Sequence, residues 1–129
     1  MESKRFIMKF IAMNRFKIVP KREQDFENIW KNRETHLDGV AGFIEFHLVK
    51  GKSEETHTLY ASHSTWNSRE DFESWTKSDA FRLSHKGAGV HSGVYLGHPE
   101  FEGFEVIFRY GDSDTDSQPQ EPTQRTRMV

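Results

Sequence analysis

Between residues 6 and 18 the chain alternates with a period of two. Phe6, Met8, Phe10, Ala12, Phe16 and Ile18 fall on one side, and Lys9, Arg15 and Lys17 fall on the other. A helix would scatter these residues around its axis, so the pattern requires one long strand with an apolar face. That strand needs a partner for its face. Pro20 ends it and suits the first turn of a helix. Phe26, Ile29, Trp30, Arg33 and Leu37 follow at helical spacing, which predicts a helix over about residues 21–36. Gly39 and Gly42 bracket the turn out of it.

The same two signals then repeat. Residues 43–50 read as a second strand with Ile44, Phe46 and Leu48 on one face, and residues 51–55 as a charged turn. Residues 56–66, rich in β-branched and aromatic side chains, read as a third strand, which makes a hairpin with the second. Ser68 with Asp71 three positions on has capping-box spacing and opens a second helix. Ser78 and Asp79 offer another start, so this helix breaks near Lys77. Residues 87–100 hold four glycines and Pro99 and read as a long loop. Residues 101–109 read as the last strand. The order is β-α-β-β-α-β, the ferredoxin-like α+β arrangement, with an antiparallel sheet and both helices on one face. A bare second face rich in Phe is an aggregation hazard, and a symmetric dimer that packs two such sheets is the common remedy.

Composition bounds the rest. The length of 129 residues suits one domain, able to bury roughly two-thirds of its unfolded surface. Mean hydropathy is -0.81 while 11 Phe and 3 Trp are present, so the core must be aromatic rather than aliphatic. Lys+Arg is 18 and Asp+Glu 20, a net charge of -2 that gives no basic footprint for nucleic acid. There is no cysteine, which excludes disulfides and thiolate ligands to zinc or iron–sulfur. No apolar run reaches the roughly 18 residues of a membrane span. Lys4 and Arg5 precede an apolar stretch that Lys9 interrupts, with no small-residue cleavage site after it, so a secretory signal is not expected. These features together lead us to expect a cytoplasmic protein. Residues 1–110 form the expected domain. Residues 111–129, polar except for Met128 and Val129, read as a disordered tail.

Four residues sit awkwardly in a plain core. Asn14 lies on the apolar face of the first strand, between Ala12 and Phe16. It is either a structural amide bonded to backbone or a hydrogen-bond donor facing a pocket. Arg33 shares the helical stripe of Phe26, Ile29 and Trp30, where it either snorkels to water or clamps a carboxylate. His85 shares a helix face with Phe81 and adjoins the Gly-rich loop. It is either an ordinary surface residue or an axial ligand to haem iron, which needs one imidazole and no second protein ligand. Trp75, three positions after Phe72, reads as core. Of the other histidines, His57 and His63 share one face of the third strand and are expected to face solvent. No HExxH, nucleophile elbow, phosphate loop, flavin or nicotinamide fingerprint is present.

At these residues the chain resembles the IsdG-type haem-degrading monooxygenases of the antibiotic biosynthesis monooxygenase superfamily. Met13-Asn14-Arg15 resembles their distal-Asn segment. Trp75-Thr76-Lys77-Ser78-Asp79-Ala80-Phe81 followed by His85 resembles their second helix, with the same spacing of ten from Trp to His. Gly42-Phe43 and Trp66 also fit. The run from His98 to Glu105 is most like the rhizobial haem oxygenases of this group. The resemblance covers about residues 6–108.

The resemblance implies a dimeric α+β barrel and a set of roles. His85 matches the proximal ligand of the haem iron. Asn14 matches the distal amide that hydrogen-bonds the oxygen species on that iron. Trp75 matches the residue that ruffles the porphyrin, and Arg33 a helix residue near a haem propionate. Haem would be substrate and cofactor together, degraded with O2 to a linear tetrapyrrole and iron. The partners implied are haem, a second copy of the chain, and a reductase or other external electron donor. Nucleic acid and membrane are not expected partners. Two other readings share the fold: a cofactor-free monooxygenase of a polycyclic phenol or quinol, and a non-catalytic haem carrier.

Overall fold

The computed structural model describes residues 8–85 and 93–111. Its order is β1 (Phe10–Ile18), α1 (Glu23–Lys31), β2 (Phe43–Ser53), β3 (Thr58–Trp66), α2 (Arg69–Thr76), α3 (Asp79–Ser84) and β4 (Glu100–Glu105). The strands form one antiparallel sheet in the order β2-β3-β1-β4, as the ferredoxin-like reading requires. The expected broken helix is two helices. Ser68 caps α2 by accepting from the Asp71 N–H at 3.0 Å, and Ser78 caps α3 by accepting from the Phe81 N–H at 3.1 Å. Gly42 has φ +83, and a Cβ there would overlap the Asp71 carboxylate, so the turn into β2 needs glycine on both counts. The expected polar tail, residues 111–129, lies outside the described residues from position 112 on.

Even-numbered positions of β1 and β3 face the helices, and they sort into two cores. Phe16, Ile18 and Tyr60 pack with Phe26 of α1 and with Val94. Phe10, Ala12 and Trp66 pack with Leu37, against which Phe72 and Trp75 of α2 are laid. Phe26 and Trp66 are both fully buried, so each end of the sheet is closed with aromatic rings. The Asn14↔Ser62 pair lies between the two cores, and Ser64 stands beside Ala12 of the second. The α1 end is tied by two side-chain bonds: Tyr60 donates to Glu27 at 2.6 Å and Thr58 to Glu23 at 2.7 Å. The Thr58 bond holds the Glu23 carboxyl below its ordinary value. A carboxyl lowered in this way stabilises the fold above its unfolded-state value, and that contribution is lost as pH falls through the lowered folded value.

Several expectations change. β2 runs on to Ser53, so the charged stretch 51–55 expected as a turn is strand for its first three residues. The first helix stops at Lys31 rather than continuing to residue 36. Leu37, although helically spaced from Trp30 and Arg33, packs into the other core, and His36 has φ +57. In β2 a register irregularity falls between Phe43 and Glu45, so Phe43, not Ile44, joins Phe46 in the core. The last strand ends at Glu105 instead of Arg109, leaving Ile107, Phe108 and Tyr110 largely exposed. On β4, Gly103 faces the Phe10 ring, and a Cβ there would come within 2.5 Å of it. Phe10 is 1% exposed and cannot swing away. Gly103→Ala should therefore cost about 1–3 kcal/mol in chemical denaturation, as overpacking does.

Candidate functional site

Between the two cores lies a cavity of about 430 Å³, within the range of small-molecule sites. Its floor is the sheet, through Ala12, Asn14, Ser62 and Ser64. Its walls are aromatic, with Trp30, Phe46, Phe72, Trp75, Phe81 and Tyr95. Asn14, Arg33, Trp75 and His85 all line it, so the four residues singled out in the sequence meet in one place.

His85 is the C-cap of α3 and is exposed at the cavity edge. Its Nδ1 lies 2.8 Å from the Phe81 carbonyl oxygen. A carbonyl only accepts, so Nδ1 must carry the proton. That tautomer leaves the Nε2 lone pair available to a metal, the arrangement in which a backbone carbonyl orients a ligating imidazole. Ser84 beside it is anchored on the carbonyls of Ala80 and Thr35, which ties α3 to the segment after α1. The Phe81 ring packs against the imidazole at 4.1 Å between centroids. The histidine is thus held by its own helix and by a ring, not by chance exposure.

Trp75 connects this edge to the core. It meets Phe81 edge-on at 4.8 Å, Trp66 at 5.4 Å and His85 at 6.1 Å. Its indole Nε1 is buried without a hydrogen-bond partner. Trp75 is therefore core packing and cavity wall at once, and it cannot yield easily to a ligand.

Arg33 lies past the C-cap of α1, with its guanidinium 4.1 Å over the Trp30 ring. Trp30 is in turn stacked on Phe46 at 5.6 Å. No carboxylate pairs with Arg33 among the described residues. Burial lowers its guanidinium below the ordinary value, and burial raises the nearby Tyr95 phenol, an effect that the Arg33 charge partly offsets. A pinned and half-desolvated cation without a counter-ion, in the wall of an apolar cavity, suits a ligand that carries a carboxylate.

The sequence reasoning missed other lining residues. Ser62 and Ser64 stand on the apolar face of β3 between Tyr60 and Trp66, and that misfit is the same signal that picked out Asn14. Tyr95 comes from the Gly-rich loop, where no periodicity marks it. It reaches the site because it bridges to Ile18 of β1. His63 departs from expectation: it lies on the face away from the cavity, but half-buried beside His47, with its Nδ1 buried and unpartnered. Among the described residues, no group of three or more His, Asp or Glu side chains could hold a metal ion. Nor is any described helix long and apolar enough to cross a membrane.

Known proteins resemble this chain in sequence or in fold. A heme-degrading monooxygenase of Shouchella clausii is 38% identical over 61 residues, 46% of this chain and 56% of that protein. The chain thus spans about half the length of the curated relatives it matches. Among solved structures, the heme-degrader MhuD of Mycobacterium tuberculosis, with two hemes in its active site, aligns with a TM-score of 0.61. It has 22% identity and covers 79% of this chain and 99% of its own. The cofactor-independent oxygenase SnoaB of Streptomyces nogalater, in a mutant form, aligns with a TM-score of 0.60, 14% identity and coverage of 81% and 98%. At such identities the structures speak for the fold alone. The family model for antibiotic biosynthesis monooxygenases matches residues 9–87, from the first strand through the histidine at the cavity edge. That stretch is more than half of the sequence and contains all four residues of the site, so the chain belongs to the antibiotic biosynthesis monooxygenase family.

Proposed function

We propose that this protein degrades haem with O2 to a linear tetrapyrrole and releases the iron, haem being both substrate and oxygen activator. One observation carries the reading. His85 donates from Nδ1 to the Phe81 carbonyl and so offers Nε2 as a metal ligand at the edge of an apolar cavity. The imidazole needs no second protein ligand to hold haem iron. The related proteins named heme-degrading support the same reading.

Each residue then has a task. His85 holds the haem through Nε2. Arg33, braced on Trp30, receives a propionate. Trp75, backed by Trp66, Phe72 and Phe81, presents rigid bulk to the macrocycle and distorts it. Asn14 offers its amide N–H to the oxygen side of the reaction, a donor whose state does not change with pH. The aromatic walls exclude water. Bound haem supplies the iron that activates O2, and the electrons come from a reductase or another external donor.

We also propose a homodimer and a cytoplasmic site of action. The sheet face away from the helices carries Phe104 and Val49, each 46% exposed, and beyond β4 the side chains of Ile107 and Phe108 are more exposed still. Light scattering after gel filtration should give about twice the chain mass of 15.1 kDa. Phe104→Glu should return it to the single mass.

The test of the activity is a haemin titration followed by ascorbate in air, with catalase present to remove free peroxide. The reading expects a 1:1 Soret band that decays to a linear tetrapyrrole spectrum, with iron passing to a chelator. A Soret band stable to any reductant would make the protein a haem carrier. Absence of a Soret band would overturn the haem reading and favour a phenolic substrate, as a cofactor-independent oxygenase on this fold would use.

A further inference from the structure

Asn14 does not stand alone on the cavity floor. Ser62 lies directly opposite it across β1 and β3, with Ala12↔Ser64 on one side and Phe16↔Tyr60 on the other. On its other flank, across β4, Asn14 meets Phe101, which is stacked on Phe72 and offers no hydrogen bond. Ser62 is thus the one polar residue in direct cross-strand register with Asn14. Directly opposed side chains start about 4.5–5.5 Å apart at Cβ, close enough for one water to bridge them.

Nothing in the packing asks for a hydroxyl at position 62. The centre of an inner strand favours β-branched and aromatic residues, and Ser62 belongs to neither core. It is 8% exposed, yet its hydroxyl bonds to no described residue. Ser64 differs, because it accepts the Trp66 indole N–H at 2.9 Å and so has a structural partner. The Asn14 amide likewise bonds to no described residue. An amide has an accepting end and a donating end of nearly the same shape, and only its neighbours decide which end faces the cavity.

We propose that Ser62 is a positioning residue for Asn14: its hydroxyl holds one water that donates to Oδ1, and so turns the amide NH2 into the cavity. The floor then presents a donor, which selects for an acceptor or an anion on the ligand side. This purpose rests on the haem reading; the pairing itself does not.

Two measurements test it. The first uses the apo-protein labelled with ¹⁵N. The Asn14 side-chain NH2 pair, assigned by its loss in Asn14→Ala, should sit away from free-amide positions, move towards them in Ser62→Ala and return in Ser62→Thr. Ser62→Cys, which keeps the volume and weakens the bond, serves if the alanine variant does not fold. An Asn14 pair that is unmoved by these changes overturns the proposal, whatever the protein binds. The second uses the ferric haemin complex. Azide affinity should fall about threefold to tenfold in Ser62→Ala, the worth of one neutral hydrogen bond. The same change should have no effect in an Asn14→Ala background. An equal fall in both backgrounds would show that Ser62 acts without Asn14, and would overturn the proposal. A protein that takes up no haemin fails the haem reading only, and the first measurement still decides the pairing.

Discussion

Replacing His85 by alanine should weaken haemin binding by on the order of a hundredfold or more and abolish the decay of the Soret band. Loss of a group that merely orients a metal ligand costs about 10- to 100-fold, and here the ligand itself is removed. The fold should hardly notice. His85 is exposed, caps a helix of six residues, and contributes one side-chain bond to the carbonyl of Phe81. Substitutions at such positions usually stay within about 0.5 kcal/mol. Free imidazole added to His85→Ala should restore part of the haemin spectrum by filling the vacated position. Equal haem degradation by His85→Ala and wild type would remove the proposed mechanism.

Asn14→Ala should separate binding from turnover. Haemin affinity should stay within a few-fold, because His85, Arg33 and the aromatic walls are untouched. Turnover should drop by on the order of 10²–10³, the usual loss when one preorganised donor to developing charge is removed. Stability should stay level, because the amide is half-buried and bonds to no described residue, so the fold loses no protein contact of that group. The two curves together are diagnostic. A structural amide would give the opposite pair, a lower melting temperature with turnover per folded molecule preserved. Thermal unfolding of the apo-protein and single-turnover Soret decay of the complex would distinguish the two.

How much of this was legible before the fold was known depends on the range of each signal. Ser68 and Ser78 announced α2 and α3 correctly because a cap is local: a hydroxyl, three residues, one backbone N–H. The alternation around Asn14 announced β1 and its misfit for the same reason. The resemblance then joined Asn14, Trp75 and His85, which no periodicity connects. Leu37 shows where local reasoning fails. Its spacing from Trp30 and Arg33 is helical, but α2 and the sheet claim it for a different core, and the chain leaves the helix to deliver it. Ile44 and Phe43 exchange roles because a register irregularity, invisible in an alternating sequence, shifts the face.

By itself, the sequence determined the order of elements, the aromatic nature of the core, and which side chains are too polar for their stripe. Those properties follow from periodicity and composition within a few residues. Only the tertiary structure decided that two cores form instead of one, with a cavity between them, because that depends on where the helices land on the sheet. It also decided that Tyr95 and the Arg33–Trp30 stack border that cavity, and that Ser62 stands opposite Asn14. Strand register sets such a neighbour across nearly fifty residues of chain, and nothing local in either strand encodes it.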